Sequence, residues 1–337
     1  MGGETRNPRF LATAALLLVA AALHPAVAAF SELQTLRFSE GYSPLFGEGN
    51  LVRSANDRKV RLILDRYTGS GFISSDLYDH GFFSAKIKLP SNYTAGVVVA
   101  FYTSNGDIFR RNHDELDFEF LGNPRRGSWR LQTNIYGNGS THRGREERYN
   151  LPFDPTREAH RYSIFWSPDT ILFYVDETPI REVRRSAAMG GEFPAKPMAL
   201  YATIWDGSSW ATGGGRYKVD YNSSPFVADF SDLVLSGCKV DPIQMMPSSG
   251  SRCAAAEAEL LAGDFAAVDP QGRRAMARFR EKNLIYSFCY DSFRYSAAFP
   301  DCEIVPAEKE RLDGTGHLKL AGRRRRRSPC RRSRDVM

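Results

Sequence analysis

Residues 113–120 read HDELDFEF, and no other stretch constrains the chain as tightly. Glu115, Asp117 and Glu119 alternate strictly with Leu116, Phe118 and Phe120. A period of two belongs to a β-strand, whose successive side chains point to opposite faces. The expectation is a strand with Leu116, Phe118 and Phe120 in a core and three carboxylates, with His113 by parity, on the other face. A solvent-facing acidic strand is one explanation. Yet like charges two residues apart repel along one face, and a surface strand ordinarily mixes signs. The other explanation is a catalytic row.

Strand-like segments recur along the chain. KVRLILD (59–65), GFFSAKIKL (81–89), AGVVVAFYT (95–103) and WRLQTNIY (129–136) are rich in β-branched and aromatic residues. HRYSIFW (160–166), TILFYVD (170–176), MALYATI (198–204) and FVADFSDLVL (226–235) continue the series. Turn-formers such as TGSG, SNGD, GNGS and SPDT separate many of them, which predicts an all-β, antiparallel jelly-roll sandwich. With 337 residues, 42% of them hydrophobic, the chain can hold one large β domain and an annex. The pattern changes after Cys238: AAAEAELLA (254–262) and QGRRAMARFREKNL (271–284) read as helices, the second with Met276 and Phe279 on one face. No internal repeat is evident.

Of the five cysteines, Cys238, Cys253, Cys289 and Cys302 could pair in three ways. Separations of 15 and 13 residues favour Cys238–Cys253 and Cys289–Cys302, leaving Cys330 over. No CxxC or paired-His spacing supports a zinc site, and nothing calls for another metal or an organic cofactor.

The N-terminus fits an exported chain. Arg6 and Arg9 precede an apolar run and then Ala26-Val27-Ala28-Ala29, a signal peptide cut after Ala28 or Ala29. His24 and Pro25 break the run before it reaches spanning length, so no membrane anchor is expected. Disulfides suit that compartment, as do sequons at Asn92, Asn138 and Asn222, the last weakened by Pro225. The net charge of +6 is unevenly placed: residues 321–337 carry eight Arg and one Asp, or +7, which leaves −1 for residues 1–320. A near-neutral body excludes a nucleic-acid surface spread over a domain. The Arg323–Arg327 run reads either as solvated disorder or as a contact for a polyanion outside the cell.

Chemistry gathers around the acidic strand. Gln132, Asn134 and Tyr136 share one face of the next strong strand, and they are hydrogen-bonding and stacking groups suited to a sugar. Trp205 and Trp210 sit in the glycine-rich IWDGSSWATGGG, where exposed indoles imply a ligand. Residues four apart on a strand lie roughly 13 Å apart at Cα. Glu115 and Glu119 leaning together on a concave sheet could approach to about 5–6 Å, the separation for retaining glycosidases. Asp117 between them would hold one in position, and crowding would raise the pKa of the group that must stay protonated.

HDELDFEFLGN (113–123), WRLQTNIYGNGS, REERYNLPFDP and IWDGSSWATGGG together resemble the xyloglucan endotransglucosylase/hydrolases of glycoside hydrolase family 16. The resemblance extends over about residues 30–310, including the annex cysteines. It implies a jelly roll with a concave glucan-binding face, and retaining transfer of xyloglucan to another xyloglucan chain or to water. By it Glu115 matches the nucleophile, Glu119 the general acid/base and Asp117 the assisting carboxylate. His113, Gln132, Thr133, Asn134, Arg145, Glu146, Trp205, Trp210, Ala211, Gly215 and Arg294 match a substrate-contact set. The chain departs from many members in having Pro124 where a sequon often follows the acidic motif, which shifts the glycan to Asn138. That placement resembles the branch with basic C-terminal tails. The expected division is a signal at 1–29, a catalytic jelly roll at 30–237, an extension at 238–310 and a basic tail at 311–337. The expected state is a secreted monomer of the plant cell wall. Two other readings stay open: a lectin-like jelly roll without catalysis, and a hydrolytic family 16 glucanase.

Overall fold

The computed structural model describes residues 30, 33–241, 243 and 250–313. The expected signal at 1–29, the Arg-rich segment and Cys330 lie outside the described residues. Two antiparallel sheets carry the chain. In spatial order, the eight-stranded sheet consists of β1 (Tyr42–Phe46), β4 (Ser70–Ser74), β13 (Ala199–Asp206), β6 (Val97–Ser104), β7 (Glu115–Gly122), β8 (Trp129–Tyr136), β9 (Glu147–Asn150) and β15 (Leu284–Ser287). The seven-stranded sheet consists of β12 (Thr178–Arg184), β11 (Thr170–Val175), β10 (His160–Trp166), β5 (Leu77–Lys88), β14 (Phe226–Val240), β3 (Lys59–Leu64) and β2 (Leu51–Arg53).

The alternation read in β7 is what joins the two layers. Leu116, Phe118 and Phe120 are fully buried. Phe118 meets Phe173 of β11 and Tyr162 of β10 edge-on, with centroids 5.1 and 5.8 Å away, and Phe120 meets Tyr162 at 4.6 Å. Edge-to-face aromatics of this kind add specific geometry to a large apolar burial. The carboxylates are thereby held on the opposite, open face of the eight-stranded sheet.

After the one-turn α1 (Phe38–Gly41) that precedes β1, the remaining α-helices among the described residues belong to the annex, which begins with α2 (Gly250–Ala262) and α3 (Pro270–Asn283) and ends with α4 (Pro306–Leu312). Asp269 caps α3 by accepting from the Gly272 amide at 2.6 Å, and Pro270 opens the helix where a missing N–H costs nothing. Leu260, Phe265 and Val268 cover Phe82, Phe165 and Tyr174 on the outer face of the seven-stranded sheet. The disulfides are Cys238–Cys253 and Cys289–Cys302, as the spacing suggested.

The annex is not a separate body. β14 runs unbroken through Cys238 to Val240, and β15 adds an edge strand beside β9. Residue 284, read as the end of a helix, instead starts that strand. The TGSG segment read as a turn contains the start of β4. The short β1, β2, β9 and β12 were not expected, because three to seven residues with mixed polarity carry little periodicity.

Candidate active site

The register of the sheet sets each carboxylate beside particular neighbours. Glu115 lies opposite Ser104 of β6 and Tyr136 of β8. Asp117 lies opposite Tyr102 and Asn134, and Glu119 opposite Ala100 and Gln132. Tyr102 in turn stacks on Tyr201 of β13, ring centroids 5.0 Å apart. His113 brings Nε2 to 3.9 Å from Glu115 Oε2.

The three acids differ electrostatically although they share a face. Burial pushes Asp117 well above the ordinary carboxylate range, and the charges of Glu115 and Glu119 on either side add to the rise. Burial also raises Glu115, but hydrogen bonds from Ser104 and Asp117, with His113 nearby, pull the other way. Asp117 is raised the further of the two, so a proton shared between them favours Asp117, with its hydrogen bond running toward Glu115. Burial raises Glu119 to about 7; its hydrogen bond with Gln132 opposes the rise, and Glu146 and Glu115 add to it. One row thus holds a coupled pair whose shared proton favours Asp117, and a third carboxylate, Glu119, raised to about 7.

A chain of polar contacts leads from Glu119 toward the annex. Gln132 Nε2 donates to Glu119 Oε2 at 2.5 Å, and Arg148 Nε donates to Gln132 Oε1 at 2.6 Å. Glu146 bridges Arg148 Nη2 at 3.0 Å and Arg294 Nη1 at 2.8 Å. The Arg294 guanidinium lies over the Tyr295 ring. On the other side, Trp205 and Trp210 are half-buried with centroids 6.0 Å apart, and Ala211 is half-buried beside them. Gly215 has φ +81°, and a Cβ there would meet the Ser209 carbonyl oxygen at 2.3 Å, so the indole loop closes only around glycine.

Two expected contact residues face elsewhere. Thr133, between Gln132 and Asn134, points into the sandwich by strand alternation, and its hydroxyl accepts from Arg181 Nη1 at 2.8 Å. Arg145 is buried between Glu192 at 2.8 Å and Asp301 at 2.9 Å, with Phe299 beneath it. Its guanidinium ties the annex to the jelly roll and is taken up in that role. The remaining residues of the expected contact set line the open face or its border.

Arg148 and Tyr102 belong to this neighbourhood and were not picked out. Parity within AFYT and REERY was the available signal, since each falls on the polar face of its strand. Asp114 was also missed. Buried, it accepts from the Asn138, Ala195 and Lys196 amides at 2.6, 2.8 and 2.9 Å and pairs with Lys196 Nζ at 2.8 Å. It pins two loops to the start of β7. Among the described residues no cluster of His, Cys, Asp and Glu has the arrangement of a metal site.

Residues 38–223 match the family model described as glycosyl hydrolases family 16, the class that this sandwich and its acidic row define. Residues 256–302 match that of the xyloglucan endo-transglycosylase C-terminus. "Probable xyloglucan endotransglucosylase/hydrolase protein 30" of Arabidopsis thaliana is 60% identical over 303 residues, covering 89% of this chain and 88% of the relative. "Probable xyloglucan endotransglucosylase/hydrolase protein 29" of the same plant is 55% identical over 306 residues, covering 88% and 85%. The chain belongs to the xyloglucan endotransglucosylase/hydrolases of family 16.

Proposed function

We propose that this enzyme cuts the β-1,4-linked backbone of xyloglucan with retention and passes the severed chain to a second xyloglucan, or to water. The observation that carries this is the row itself: Glu115, Asp117 and Glu119 in register on one open sheet face, with Asp117 between the two glutamates and Glu119 raised to about 7 by burial. Glu115 attacks the anomeric carbon while Glu119 delivers its proton to the departing glycosidic oxygen. Asp117, hydrogen-bonded to Glu115, fixes the nucleophile and steadies its charge as the ester forms and breaks. Glu119, now anionic, then takes a proton from the incoming hydroxyl, and the ester is released. Gln132, Asn134, His113 and Glu146 would contact the sugars around this centre. Trp205, Trp210, Ala211 and Gly215 would shape a stacking wall, and Arg294 extends the acceptor side.

Transfer prevails over hydrolysis only if an acceptor is held in line, since water is far more abundant; positioning of that kind can supply several kcal/mol. The annex strand β15 and Arg294 provide a longer wall for the acceptor. Incubation with xyloglucan and a labelled xyloglucan oligosaccharide tests this reading. Label should enter polymer, with few new reducing ends. Binding without label entry or cleavage would support a lectin instead, and new reducing ends without incorporation a hydrolase.

The pH profile follows from the same assignments. Glu119 must be protonated for the first step, so kcat/KM should fall as pH rises through about 7. Gln132 stabilises the anion of Glu119, so Gln132→Leu should move that alkaline limb upward. An unshifted limb would separate it from Glu119.

The enzyme is read as a secreted, monomeric wall glycoprotein, with the jelly roll at 30–237 and the extension at 238–310 as its functional divisions. Asn138 is exposed and suits a glycan, whereas Asn92 Nδ2 already donates to Ser223 O at 2.5 Å. The Arg-rich tail would hold the enzyme to anionic wall polymers.

A further inference from the structure

The residue pairs of the eight-stranded sheet form one continuous row: Arg148, Gln132, Glu119, Ala100, Thr203, Gly71 and Phe46. Directly paired residues share a face; the register shifts between Pro44 and Phe46 of the edge strand β1, and beyond that irregularity the Phe46 ring lies on the Cβ side of Gly71 together with Thr203, the face that carries the carboxylates. It lies four strand spacings, or about 19 Å, from Glu119. Between them the row is small: alanine, threonine, glycine. A Cβ on Gly71 would come within 2.9 Å of both Phe46 Cε1 and Thr203 Cγ2, so the phenyl ring lies over the bare Gly71 backbone. The ring is 39% exposed. Trp205, two residues along β13 from Thr203, shares the face and flanks the small-residue floor.

A single exposed phenylalanine on a protein surface needs no explanation. This one sits at the end of a low floor that leads straight from the acidic row. It also stands at the edge opposite β15 and Arg294. If the acceptor occupies the annex side, where the departing segment lay before the cut, the part of the donor that becomes bonded to Glu115 must run the other way, across Ala100, Thr203 and Gly71 toward β1. Its sugar rings present apolar C–H faces, and a phenyl ring offers them a flat contact without hydrogen-bond demands.

We propose that Phe46 is a stacking platform for a distal sugar of the donor glucan, extending the donor-binding surface to the edge of the sheet. This rests on the donor and acceptor sides assigned above. The ring touches no reacting atom, so its contribution is to grip long donors.

Phe46→Ala and Phe46→Trp should be compared with the parent on xyloglucan polymer and on a donor oligosaccharide too short to reach β1. Phe46→Ala should raise KM for polymer about fivefold, the scale of one aromatic contact, with kcat unchanged. KM for the short donor and for the acceptor should not move, and Phe46→Trp should restore the polymer value. Equal effects on short and long donors, no effect on either, or failure of Phe46→Trp to restore would overturn the proposal. Affinity electrophoresis in xyloglucan gels, on a Glu115→Gln background, reads the same contact without turnover. Loss of retardation in Phe46→Ala there would uphold the platform even if the assignment of catalytic roles failed; unchanged retardation would refute it.

Discussion

Glu115→Ala is expected to lose turnover by about 10⁴-fold or more while the fold and glucan binding persist, because the group that forms the covalent intermediate is gone. The side chain faces away from the core, so the loss should not register as instability. Label incorporation and new reducing ends should both vanish together, since transfer and hydrolysis share the first step. Azide, a small anion able to enter the space vacated by the carboxylate, should restore part of the cleavage with the product inverted at C1. Asp117→Asn should be milder: the amide still donates toward Glu115 but cannot exchange a proton or follow the change in charge. Retention of more than about a tenth of the activity in Glu115→Ala would place the nucleophile elsewhere.

The acidic row was legible in the sequence because a period of two admits few alternatives when every second residue is Leu or Phe. Phe118 and Phe120 need the interior, and the carboxylates follow by parity. The same rule should have separated Thr133 from Gln132 and Asn134; grouping all three by motif ignored the alternation that turns Thr133 toward Arg181. Arg145 was harder. Its partner Asp301 is 156 positions away, and nothing local distinguishes a buried tie from a solvent-facing contact. Arg148 depends on register: whether it meets Gln132 is decided by how β9 slides against β8, which a four-residue strand cannot announce. The platform at Phe46 is a register effect as well, visible only once five strands to one side of Gln132 are laid in order.

The largest stability loss is expected at a carboxylate on the other face of β9. Glu147 neighbours Arg148 and so points the opposite way, into the junction between sandwich and annex. Its Oε2 and Oε1 accept from Arg280 Nη1 and Nη2 at 2.8 and 3.0 Å, the Tyr149 hydroxyl donates to it at 2.5 Å, and Arg181 Nε lies 3.5 Å away. Arg280 of α3 is also paired with Glu308 of α4 at 2.8 Å, so this cluster ties two of the annex helices, α3 and α4, to the jelly roll. Burial alone would raise the Glu147 pKa, but the Arg280 and Arg181 charges outweigh it and hold it at about 2. Glu147→Ala would leave Arg181 buried beside Arg280, with their shared counter-ion gone. Breaking a buried pair from one side costs about 3–5 kcal/mol, more than the few methylenes removed. The pH dependence has a definite sign. A folded pKa below the unfolded value of about 4.3 means that the stabilisation is complete above that pH and fades as pH falls toward 2. Urea unfolding should therefore show a wide gap between parent and Glu147→Ala at neutral pH, narrowing in acid. A gap that stays constant with pH would mean that the loss comes from packing rather than charge. Since the same junction carries Arg294 to the acceptor side, loosening it should also weaken the hold on the acceptor, and the product ratio of Glu147→Ala should move from transfer toward hydrolysis at temperatures where the sandwich is still folded.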